Sequence, residues 1–385
     1  MNRLPGLDLL RAIAIAWVMI FHSYIIGGWG HFAGLDKHGW MGVDLFFALS
    51  GFLIGQQVFK PLAAGGRFSF ADFYLRRAFR ILPVYLLVVA VYFLWPGGRE
   101  YPGIQPLWQF LTFSVNLLID AQNSKAFSHV WSLCVEEHFY LLFPLLALWL
   151  ARRPTAAKFL AVCIGLVLFG MLVRGYVWLH LVGPAIAADD QQAVGSWFLK
   201  GIYYPTWARL DGLLAGVVLA GVRVYRPDLW GRWSRYANLA GAAGLAVVAL
   251  SIWLFRDRVD FIPTLLGYPL LSLGMGLLVL CGASQGSVSA RVRLPGAAWL
   301  AAASYSLYLS HKLVFHGVES AFGSWLDGHG LLTFTGYAAA TLAVGAVLHY
   351  GIELPFLRLR GRLLSRSPGE MLPPVAQPVS SQGVA

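Results

Sequence analysis

Charge is scarce in this chain. Asp, Glu, Lys and Arg make up 12% of its 385 residues, about half the share of a soluble domain. Apolar residues reach 58%. That balance excludes a soluble globular domain and leaves a polytopic membrane protein. Cysteine is nearly absent as well. Cys134, Cys163 and Cys281 stand far apart, which excludes a disulfide framework and a thiolate pair for metal. Cys134 reads as a small buried filler. No HExxH, CxxC or Walker A string occurs, so metal-dependent and nucleotide hydrolysis have no support and no metal is expected. No internal repeat appears, and no low-complexity stretch precedes the tail. Acidic residues are few, 18 against 29 basic ones. In a soluble chain that excess would suit nucleic acid, but here the basic residues cluster in alternate loops. No nucleic-acid partner is expected.

What is present is a series of apolar runs. The first is long and carries Asp8 and Arg11, unlike a cleaved signal. Runs of about 17–25 residues predict an all-α bundle of ten transmembrane helices. They fall near 7–28, 41–59, 80–95, 134–151, 157–181, 205–222, 237–255, 263–282, 298–316 and 331–354. Residues 1–360 form the expected membrane domain, and 361–385 read as a disordered tail. Nineteen Lys and Arg residues fall on the side that holds both termini, and six on the other. The positive-inside rule then places both termini in the cytoplasm.

Arg11 and His22 share the first span, LDLLRAIAIAWVMIFHS. Ionisable groups at such depth are costly and mark functional sites. Eleven residues at ~100° each put both on one face, roughly 16 Å apart along the helix. With the orientation assigned, two polar layers emerge. The outer one holds His22, Asp44, Glu136, Glu137, Arg209, Asp211 and His311, with Lys312 at its rim. Mixed signs there suit proton transfer and hydroxyl recognition. The inner one holds Arg11, Arg76, Arg77, Arg80 and Glu353. Clustered guanidinium groups suit phosphate. Each signal has a plainer reading. The three arginines also serve as topology determinants or headgroup contacts. Glu136, Glu137 and His138 also read as interfacial residues at a helix end, and His22 as a core histidine bonded to a carbonyl. Trp and Tyr near helix ends read as interfacial anchors, and GAAGLAVVAL and LAAASYS as packing faces.

LPGLDLLRAIAIAWVMIFHS resembles the opening of the acyltransferase-3 family of membrane acyltransferases, with Arg, ten residues, then His. GVDLFFALSGFLI, FYLRRAFRILPVY, HVWSLCVEEHFYLLFPLL, RLDGLLAG, SYSLYLSH and GIELP follow in the family's order, to about residue 356. The resemblance implies an integral membrane enzyme that moves an acyl group, usually acetyl from acetyl-CoA, onto a sugar hydroxyl of a surface polysaccharide, glycolipid or exopolysaccharide. It implies that Arg77 and Arg80 serve the acyl donor at the cytoplasmic face, with Arg76 beside them. It also implies that Arg11 and His22 are needed for activity, and that Glu353 is the acidic residue before a proline on the last helix. His138 stands where the family has glutamine, and Cys134 where serine is usual. No esterase-like domain is appended, so action alone or with a separate partner is expected.

The expected chemistry follows. A sugar hydroxyl needs a general base, and an imidazole with pKa ~6.5 suits neutral pH. His22 is that base, with Glu136 expected to orient it; an acyl-His22 intermediate fits equally well. Asp8, Asp44, Glu137, Arg209, Asp211, Ser306, His311 and Glu353 are expected supporting groups. No cofactor is held permanently, since acyl-CoA is a substrate. The expected partners are the bilayer, a carbohydrate acceptor and a polysaccharide-synthesis assembly, and the expected location is the bacterial inner membrane. For chemistry to bridge two compartments, base and guanidinium groups must share one continuous cavity. A proton-coupled glycan transporter with His22 and the carboxylates as relay is the main alternative, and a membrane scaffold is another.

Overall fold

A computed structural model describes residues 4–26, 36–326 and 329–364. Among them the only β-pairing is an isolated bridge between Ile104 and Ala126. The long helices are α1 (Pro5–Ile26), α2 (Met41–Ala63), α3 (Phe70–Leu94), α4 (Trp131–Ala151), α5 (Ala156–Val177) and α6 (Asp211–Tyr225). There follow α7 (Ala237–Leu254), α8 (Tyr268–Ala283), α9 (Ala297–Leu326), α10 (Leu331–Leu348) and α11 (Leu354–Leu364).

Eight helical segments are long and apolar enough to cross a membrane among the described residues. The two expected spans outside that set are α6 and α9. At 15 residues, α6 is about 22 Å long, short of the ~30 Å hydrocarbon layer. At 30 residues, α9 is long enough, but its SYSLYLSHK stretch dilutes its apolarity. Both are packed within the bundle, α6 along α2 and α9 along α1.

The third helix starts ten residues before its predicted position. Ser69 caps it, its hydroxyl accepting from the Asp72 amide at 3.2 Å. Arg76 and Arg77 therefore lie on the helix itself, where a loop was expected, and Arg80 lies well inside it rather than at its start. Two π-helical turns, Trp178–Val182 and His349–Glu353, continue α5 and α10 with more residues in each turn. The tail is helical through Leu364, and residues 365–385 lie outside the described residues.

The small residues of α2 and α6 let their backbones touch. A Cβ on Gly51 would sit 2.0 Å from the Leu213 carbonyl, and one on Gly216 2.1 Å from that of Ala48. Only glycine permits this approach. Two buried ion pairs fasten the same region. Arg209 on the loop before α6 meets Asp44 at 2.7 Å. Arg174 of α5 grips Asp211 through two bonds, 2.8 and 3.2 Å, and donates to the Ala208 carbonyl at 2.5 Å. Rings of Trp131, Tyr203 and Tyr268 surround the Arg209 guanidinium at 4.5–5.0 Å. Asp44, Arg209 and Asp211 thus pin helices together.

Candidate active site

α1 carries Arg11 near one end of the bundle and His22 near the other, and each lines its own cavity. The histidine end is built by three imidazoles. The Nε2 of His311 lies 3.0 Å from Nδ1 of His22. Nδ1 of His311 lies 2.7 Å from the Tyr308 carbonyl, an acceptor only, so that nitrogen is the donor. In neutral His311, Nε2 is then an acceptor. His22 Nδ1 also faces the Val18 carbonyl at 3.1 Å. With two acceptors before it, Nδ1 of His22 must carry its proton. The lone pair of neutral His22 is left on Nε2, which has no hydrogen bond among the described residues. That is the tautomer a general base needs.

Glu136 is not the group that orients this ring. Its carboxylate accepts from the Ser50 hydroxyl at 2.6 Å, and the Tyr140 side chain lies close to it. It faces the cavity at the other end of the bundle. α4 runs past the His22 level for more than a turn before reaching Glu136, so closeness in apparent height was not contact. His311 and the Val18 carbonyl take the orienting role.

Residues outside the expected site complete this end. The His129 ring lies 4.8 Å from His311 and 6.1 Å from His22. Neither of its nitrogens makes a hydrogen bond of normal geometry, although the Leu309 carbonyl lies close. The Tyr308 hydroxyl donates to the His129 carbonyl at 2.7 Å and meets the Ser132 hydroxyl at 2.6 Å. Lys312 donates to Ser128 at 3.2 Å and stands 3.9 Å from buried Glu100. The Glu100 carboxylate is fixed by the Phe127 amide and the Tyr92 hydroxyl. His129 opens the HVWSL string, so its place at a helix start was a usable signal. Glu100 gave none, because it lies in a loop of unremarkable composition. The imidazoles do not make a metal cradle, and no group of three ligands fit for one occurs among the described residues.

At the arginine end, a narrow cavity of about 130 Å³ is lined by Arg11, Arg77, Arg80, Ser50, Glu136 and Tyr140, among others. Asp8, one turn before Arg11, supplies opposite charge to it. Arg77 lies over the Tyr140 ring at 4.6 Å. Arg80 faces Glu353 at 3.6 Å. The π-helical turn brings His349 within 2.9 Å of the same carboxylate, and Ser306 donates to it at 2.9 Å. Glu353 therefore holds α3, α9 and the end of α10 around Arg80. Arg76 is exposed and outside the cavity lining. Glu137 is directed elsewhere, with Oε1 buried and unbonded. His138 faces Thr206 at 2.7 Å.

A cavity of about 580 Å³ occupies the histidine end, under the loops before α4 and before α6. The one continuous cavity expected from the sequence is two chambers. Val43 and Tyr308 line both and form the wall between them. Bonds from Tyr308 to His129 and Ser132 hold its ring at that boundary.

A family model described as an acyltransferase domain (Acyl_transf_3) matches residues 4–350. The O-acetyltransferase OatA of Staphylococcus aureus strain NCTC 8325 / PS 47 is 26% identical over 235 residues, 56% of this chain and 34% of that protein. OatA of strain COL matches over the same length with the same identity. Another relative from strain COL is 27% identical over 239 residues, 57% of this chain and 35% of its own. The chain thus spans about a third of the length of these curated relatives. No solved structure matches.

Proposed function

The chain belongs to the acyltransferase-3 family, and from that membership we propose that it is a multi-pass O-acyltransferase of the bacterial inner membrane. Its donor is cytosolic acyl-CoA, acetyl-CoA in the first instance, and its acceptor is a carbohydrate hydroxyl on the far side. The relatives named as O-acetyltransferases support the acyl group and the oxygen acceptor. The single observation that carries the reading is the pair of abutting chambers, guanidinium groups in one and the His22 base in the other.

In this scheme both termini face the cytoplasm. The phosphates of CoA meet Arg77 and Arg80, with Arg11 further along the path of the pantetheine arm. The thioester reaches the wall at Val43 and Tyr308, and a movement of Tyr308 lets it meet the acceptor. Nε2 of His22 takes the hydroxyl proton as the oxygen bonds to the acyl carbon. The carbon–sulfur bond breaks, and the CoA thiolate leaves and is reprotonated. Nδ1–H of His22 keeps both of its acceptors while the ring is cationic, which stabilises the imidazolium. An acyl-His22 route would use the same Nε2 atom as nucleophile.

Proteoliposomes with labelled acetyl-CoA on the cytoplasmic side test this. Label is expected on added glycan, and His22→Ala is expected to lower kcat by about 10²–10⁴-fold with insertion intact. A near-normal rate in that variant overturns the mechanism. Glycan flux without CoA would instead indicate a transporter.

A further inference from the structure

The histidine-end chamber has an unbalanced lining. Lys125, Arg258 and Lys312 all border it, and no Asp or Glu does among the described residues. Lys312 has its countercharge behind it in Glu100. Arg258 has none: no carboxylate lies within ion-pair distance of it among the described residues. Its guanidinium carbon sits 4.0 Å from the Tyr203 ring centre, 4.3 Å from Trp40 and 5.3 Å from Phe198. Rings hold the face of a guanidinium but leave its edge donors unused. None of the Arg258 nitrogens is hydrogen-bonded among the described residues, and Nε and Nη2 are buried without a partner. Arg174, by contrast, spends both terminal amino groups on Asp211 and Ala208 and leaves only its Nε unmet. Leaving charged donors unmet is costly, and the fork geometry of guanidinium matches a pair of ligand oxygens.

The rest of the lining suits a sugar. Trp131 and Tyr204 present ring surface, and Gln122, Gln191 and Gln192 present amides. The volume falls within the range of small-molecule sites. On the reading that this chamber receives the acceptor, we propose that the acceptor is an anionic carbohydrate, its carboxylate or phosphate seated against Arg258. The cation ring holds the acid group while a neighbouring hydroxyl is presented to His22. Both anions share the recognition chemistry, a pair of oxygens with negative charge.

Binding to the full chain in lipid nanodiscs tests this without turnover. The probes are cellobiose, cellobiouronic acid and cellobiose phosphate. At least one acidic probe is expected to bind about tenfold or more tightly than cellobiose, as a charge-assisted bidentate contact implies. Raising salt narrows the difference. Whichever acidic probe is tighter names the anion. Arg258→Gln brings the ratio near one, Arg258→Lys keeps part of it, and Lys125→Gln reduces it partly from an exposed loop. CoA binding at the arginine end checks that each variant is folded. Equal binding of cellobiose and both acidic probes overturns the proposal. So does an acidic preference that persists in Arg258→Gln with CoA binding intact. Acyl transfer onto neutral cellobiose as efficient as onto either acid sinks this inference and leaves O-acyl transfer standing. An acidic preference without any transfer does the reverse.

Discussion

At the residue scale, the imidazole pair sets the chemistry. His311 touches no reacting atom in the proposed scheme. It positions His22 by offering an acceptor at 3.0 Å, so it is a positioning residue. His311→Phe leaves only the Val18 carbonyl to hold the ring. The expected loss is about 10–100-fold in kcat, below the full effect of losing the base, with donor KM unmoved. Because the two act as a unit, His22→Ala with His311→Phe should be no slower than His22→Ala alone. Additive losses would show that His311 has a separate role. The guanidinium groups make a different demand. Arg77→Ala with Arg80→Ala should raise the donor KM by about tenfold or more, the scale of lost charge-assisted hydrogen bonds. Salt should weaken donor binding in the wild type in the same direction, although partly buried contacts are screened less. Unchanged donor affinity removes both residues from the donor site.

At the element scale, helices are held by contacts that the bilayer cannot replace. Lipid tails are as apolar as leucine, so close packing and polar pins must do the joining. α2 and α6 meet backbone to backbone at Gly51 and Gly216. The Arg174 side chain is fully buried against Asp211 of α6. Asp211→Ala strands that charge, which costs about 3–5 kcal/mol for a buried pair broken on one side. Thermal unfolding in detergent should show the fall. Adding Arg174→Met removes the stranded charge and should recover most of it. If the double variant is as unstable as the single, the pair does more than compensate itself. The π-helical turn at His349–Glu353 matters in the same way, because it aims Glu353 at Arg80 and sets His349 against the same carboxylate.

For the whole molecule, the two-chamber plan depends on which side each end faces. The three cysteines are buried, so the native chain is silent to a membrane-impermeant maleimide. Gln122→Cys in the histidine-end loop should label in intact cells. Arg232→Cys, on the short helix Pro227–Arg235 at the arginine end, should label only after permeabilisation. The opposite pattern would reverse the assigned compartments, and CoA would then be on the wrong side of the guanidinium groups.

Much of this was legible in one dimension. Long apolar runs dictate membrane helices, because burying an unpaired backbone polar group in lipid is prohibitive. The spacing of Arg11 and His22 placed one at each end of α1. The ordered strings from LPGLDLLRAIAIAWVMIFHS to GIELP carried the family resemblance, and the family model matches residues 4–350. Lateral contact was not legible. Glu136 reads as level with His22, yet α4 starts at Trp131 and carries it more than a turn deeper, to Ser50. His129, Glu100 and Arg258 come from loops and a helix start, where no periodicity announces a partner. The wall at Tyr308 exists only because α9, α4 and α2 meet there. A sequence sets how deep a residue lies only to within the turns by which its helix ends shift, as at Glu136 and Arg76. Which neighbour it faces depends on rotations and crossings of other helices, and those are decided only when the bundle packs.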